Sequence, residues 1–107
     1  MVDVDWRIEI IDFITNEKLP TDKNKAVTIA RRSKGYVLVG DKLYKRGFHS
    51  GVLMKCIPRE EGKSIHDEIH LGVSGNHAAS RTLGGKAFRA GFYWPTSLKD
   101  AEILVRQ

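Results

Sequence analysis

The chain has little of what builds cross-links or membrane spans. It carries one cysteine in 107 residues, which excludes an internal disulfide and a thiolate metal cluster; Cys56, set in an apolar strand-like run, reads as a small buried hydrophobe. No apolar run approaches the roughly 20 residues that cross a bilayer. The first residues, Met1 to Trp6, lack the basic start and apolar stretch of a signal peptide. An intracellular protein with no membrane partner is expected. Acid is scarce where base accumulates: residues 31–46 hold Arg31, Arg32, Lys34, Lys42, Lys45 and Arg46 against Asp41 alone, an excess equal to the net charge of the whole chain, +5. Residues 69–99 contain no acid but carry Arg81, Lys86, Arg89 and Lys99. Such patches suit phosphate backbones, and on composition alone a merely solvated basic face fits them equally.

What is present patterns as α+β, and the length fits one domain, or one domain with an ordered extension. Trp6, Ile10, Phe13 and Ile14 recur at helical spacing, with Asp3 or Asp5 to cap the start and Leu19-Pro20 to end the run. Thr21 or Asp22 can cap a second helix with Ala26, Ile29 and Ala30 inward, and Gly35 is placed to end it as a left-handed residue. The pattern then changes to a β-hairpin, Tyr36–Val39 and Lys42–Lys45 around Gly40-Asp41, with a third strand at Val52–Ile57. Pro58 stops that strand and opens a helix over 59–70 with Ile65 and Ile69 on one face. A loop over Gly72–Asn76 follows, then a helix to Ala90 that Gly84-Gly85 weakens. Phe92-Tyr93-Trp94 is expected to anchor the core first and a protein interface second. Thr96 can cap a last helix with Leu98, Ala101, Leu104 and Val105 inward. The expected organisation is an extension over 1–57, with two helices and a three-stranded antiparallel sheet, and a three-helix bundle of helix-turn-helix character over 58–107.

Catalytic signals are thin. His66 and His70 lie four apart on one helix face, but a zincin needs Glu directly after its first His, and that place holds Asp67 with Glu68 one step late. Ser64, Ser74, Ser80 and Ser97 lack a nucleophile motif. His66 is expected to be exposed or partly packed, and His49 has no role.

Glu68-Ile-His70, Gly75-Asn-His77, Arg81, Lys86, Gly91-Phe-Tyr-Trp-Pro95 and Asp100-Ala101, in that order, resemble the His-His-Cys-Cys zinc-binding N-terminal domain of integrases from gypsy-type long-terminal-repeat retrotransposons, especially those of plants. Upstream, Trp6, the apolar face from Ile10 to Ile14, Leu19-Pro20, Tyr36 and Leu43-Tyr44-Lys45-Arg46 resemble the extension that precedes it. The resemblance implies zinc ligands at His70 and His77, completed by a Cys pair that would begin just past Gln107. Zinc is thus expected in the full-length parent, and weakly bound or absent in a chain cut before the thiolates. The resemblance also implies a non-catalytic role: binding the DNA ends of the element and supporting integrase multimers, in the nucleus or in cytoplasmic virus-like particles. Arg31, Arg32, Lys34, Lys45, Arg46, Arg81, Lys86 and Arg89 are the candidate phosphate contacts. The alternative is a domesticated retroelement piece that serves as a protein-interaction module.

Overall fold

The computed structural model describes residues 4–47, 51–72, 87 and 90–106. They form an α+β chain with two compact units, Val4–Cys56 and the residues from Ile57 onward.

In the first unit, helix α1 (Arg7–Asn16) begins beside Asp5, whose carboxylate accepts the Arg7 backbone N–H at 3.0 Å and the Arg7 guanidinium at 2.6 Å. The hydrogen bond from Arg7 holds the Asp5 carboxyl below its usual range. Arg7 Nη1 also donates to the Cys56 carbonyl at 3.3 Å. The helix ends at Glu17, before the expected Leu19-Pro20, because Glu17 adopts a left-handed conformation with φ 54°. Helix α2 (Lys23–Ser33) is capped by Asp22, which accepts from the N–H of Asn24 at 2.8 Å and of Lys25 at 3.2 Å. Such a cap contributes about 1 kcal/mol.

Strands β1 (Tyr36–Val39), β2 (Lys42–Arg46) and β3 (Leu53–Cys56) pair antiparallel in sequence order. Val39 pairs with Lys42 across a two-residue turn, as the sequence leads one to expect, with Gly40 at φ 64° supplying the left-handed residue that turn needs. Alternation sends Tyr36, Leu43 and Cys56 to the buried face, and Ile10 and Ile29 complete the unit's core. Burial pushes the Cys56 thiol up to about 12, so it stays protonated at neutral pH.

In the second unit, helix α3 (Arg59–Gly72) starts directly after Pro58, whose carbonyl accepts the Gly62 N–H at 3.0 Å. A two-residue strand, β4 (Phe92–Tyr93), brings the strands among the described residues to four and not the three expected; the Tyr93 carbonyl accepts the Ile57 N–H at 3.1 Å. Helix α4 (Ser97–Arg106) closes the described chain. The helix expected over 76–90, with its Gly84-Gly85 weak spot, lies outside the described residues except for Ala87, which is helical and fully buried, and Ala90, which is exposed. No described helix is long and apolar enough to cross a membrane.

Two expectations for this unit need correction. His66, expected to be exposed or partly packed, is 1% exposed, while Ile65 and Ile69 are only half-buried. The reason is Gly62, one turn earlier: a Cβ there would run into the indole of Trp94, so the missing side chain lets Trp94 lie against the helix and turns the Gly62–His66 face inward. Leu98, expected inward, is 45% exposed, because Ser97, Asp100 and Ala101 take the buried face of α4. In the first unit, Gly35 is not left-handed.

Candidate nucleic-acid interface and metal ligands

The two basic segments of the first unit converge. Arg31 and Arg32 occupy the last turn of α2, where the helix dipole favours cations. The N–H groups of Lys34 and Gly35 close that turn on the Arg31 and Arg32 carbonyls at 3.4 and 3.0 Å. The chain enters β1 at once, and the Arg46 N–H donates back to the Gly35 carbonyl at 2.8 Å. The end of β2 therefore lies beside the end of α2, and Arg31, Arg32, Lys34 and Arg46 are all exposed there.

Lys45 behaves differently from its neighbour. It pairs with Tyr36 across the β1–β2 ladder, its Nζ sits 5.3 Å from the centroid of the Tyr36 ring, and it donates to the Arg46 carbonyl at 3.4 Å. A Cβ on Gly35 would come within 2.9 Å of that ammonium, the tip of a flexible side chain that can move aside. Trp6 packs against the other partner of the stack, its ring 5.8 Å from that of Tyr36. Strand alternation thus divides Lys45 and Arg46, adjacent in sequence, between opposite faces of the sheet. Arg81, Lys86 and Arg89, the remaining candidate contacts, lie outside the described residues.

Of the two candidate zinc ligands, His70 lies in the last turn of α3 and is half-buried. Its Nδ1 is buried with no hydrogen-bond partner among the described residues, as is Nδ1 of His66, so this fits a metal ligand without singling His70 out. His77 lies outside the described residues, and no described group of three or more His, Cys, Asp or Glu side chains is arranged to hold an ion.

Sequence reasoning missed the polar network at the centre of the second unit. The Asp100 carboxylate accepts from Arg59 Nη2 at 2.8 Å, from Trp94 Nε1 at 3.0 Å and from the Thr96 hydroxyl at 2.9 Å. Burial pushes its carboxyl up, but the hydrogen bonds from Arg59, then Trp94 and Thr96, outweigh burial and hold it below the usual carboxylate range. Beside it, His66 Nε2 and the Ser97 hydroxyl share a hydrogen bond at 3.4 Å, and the imidazole lies 4.6 Å from the Trp94 ring. The one available signal was Thr96 four residues before Asp100, which puts both on one helix face. Nothing in the sequence linked either to Arg59, 41 residues away from Asp100.

His66 makes a pH test possible. Burial lowers its pKa below the ordinary 6.5, while Asp100 and Asp67 pull the other way. The folded state therefore favours the neutral ring, so the contribution to stability is complete above about pH 6.5 and declines as pH falls below it toward the folded value. Melting temperature is expected to drop between pH 7 and 5.5 in the native protein and to drop less in His66→Leu. Equal slopes in the two proteins would contradict this.

Comparison of the chain with protein-family models, curated proteins and solved structures finds no match to any of them.

Proposed function

We propose that this chain is the N-terminal region of a gypsy-type retrotransposon integrase, a non-catalytic part that grips DNA by its phosphate backbone and supports assembly of integrase chains. The support for the DNA role is the convergence of Arg31, Arg32 and Lys34 with Arg46, held by the bond from the Arg46 N–H to the Gly35 carbonyl. Exposed guanidinium and ammonium groups on one corner release counterions when they meet phosphates, and they read no base edges. The family role rests on the ordered motifs from Glu68 to Ala101. In it, His70 and His77 would hold zinc, which would pin the end of α3 to the chain that follows. Arg81, Lys86 and Arg89 would extend the phosphate contacts, and the parent protein would work in the nucleus or in virus-like particles.

The test is a titration of duplex DNA at several salt concentrations. Each phosphate neutralised adds about 0.9 to the slope of log affinity against log salt. Changing Arg31, Arg32 and Lys34 together to alanine is expected to flatten the slope by about two to three units while the melting temperature stays put, since exposed substitutions of this kind shift stability little. Absence of duplex binding at low salt, or binding indifferent to salt and to the triple change, would favour the domesticated protein-interaction module.

A further inference from the structure

The ladder of the first unit leaves one sheet face outward with a composition of its own. Residues paired across an antiparallel ladder share a face. Tyr44 pairs with Val37 on one side and with Lys55 on the other, and Val39 pairs with Lys42, Arg46 with Leu53. These seven residues alternate with Tyr36, Leu43, Lys45 and Cys56 of the opposite face. Lys42, Arg46 and Lys55 are exposed, as are Val39 at 53% and Leu53 at 45%. Every formal charge on this face is positive, and the cations surround one aromatic ring on the central strand: Lys42 and Arg46 stand two residues before and after Tyr44, about 7 Å along the strand, with Lys55 directly across.

We propose that this face binds single-stranded nucleic acid, with Tyr44 stacked on a base and Lys42, Arg46 and Lys55 on the phosphates that flank it. Charge complementarity selects a polyanion. The flat face selects an unpaired one, because reading a duplex groove needs a protruding helix or ribbon, whereas an aromatic ring set among cations on a sheet can stack on bases that are free of partners. Val37, Val39 and Leu53 give sugar and base an apolar floor. The inference does not depend on the duplex reading, which rests on the end of α2; Arg46 alone belongs to both surfaces.

The experiment is fluorescence anisotropy of a labelled short oligothymidylate titrated with the whole protein at low salt. Tyr44→Ala is expected to weaken binding by about fivefold or more, the low end of what base stacking contributes, whereas Tyr44→Phe should retain it. Because Tyr44 is half-buried, a second variant guards against misfolding: Lys42→Glu with Lys55→Glu, both at exposed positions, is expected to lower affinity by about tenfold or more and to reduce the salt slope by roughly 1.4. The Arg31, Arg32 and Lys34 triple change is expected to spare oligothymidylate binding and impair duplex binding. No oligothymidylate binding by the native protein, or binding that both Tyr44→Ala and the glutamate pair leave unchanged, overturns the proposal.

Discussion

Trp94→Ala is expected to lower the stability of the second unit by about 3–5 kcal/mol, the usual result of deleting a large buried aromatic. The side chain is fully buried, and three separate contacts depend on it. Its indole fills the space that Gly62 leaves open, its face packs against His66, and its Nε1–H donates to Asp100. Alanine would leave a cavity between α3 and α4 and remove one donor from a buried carboxylate. A loss of this size is a large share of the 5–15 kcal/mol typical of a whole domain, so thermal melts should show the second unit unfolding well before the first, or no cooperative transition for it at all. Near-ultraviolet circular dichroism would report the same loss of fixed packing. A variant that melts with the native protein but binds DNA poorly would make Trp94 a recognition residue and not a core anchor.

Asp100→Ala is expected to cost about 3 kcal/mol or more, from the lost hydrogen bonds to a charged acceptor and the Trp94 donor left without a partner. Asp100 is almost fully buried, while the Arg59 side chain is about a third exposed at 35%. Arg59 can turn toward water after the change, but Trp94 Nε1–H cannot, and a buried donor without an acceptor costs roughly 1–3 kcal/mol. For a unit of this size the fall in melting temperature should be about 12 °C or more. The pH dependence carries its own signature. Since the folded carboxyl titrates below the ordinary 3.8, its contribution is present above that value and is lost as pH falls through the folded value. Asp100→Asn should therefore be flatter in acid than the native protein as well as less stable at pH 7. If Asp100→Ala melts within a few degrees of the native protein, the network contributes far less than its geometry implies.

Much of this fold could be read from the sequence wherever a local rule sufficed. Asp22 ahead of an apolar stripe announced a capped helix, Val39-Gly40-Asp41-Lys42 announced a two-residue hairpin turn, and Pro58 announced the change from strand to helix, because capping, turn geometry and missing N–H groups act over a few residues. Composition likewise marked the basic clusters on which the DNA proposal rests. Tertiary structure decided what those residues do. Lys45 and Arg46 look alike in sequence, yet the register of β2 sends one over the Tyr36 ring and the other outward with Lys42, Tyr44 and Lys55. His66 and Asp100 look like surface residues of amphipathic helices. They are buried because Gly62 admits an indole and because Arg59, Trp94 and Thr96 supply the hydrogen bonds that a buried carboxylate requires. Partners brought together across 41 residues of chain leave no mark in local periodicity, and their burial becomes favourable only once every member of the group is in place.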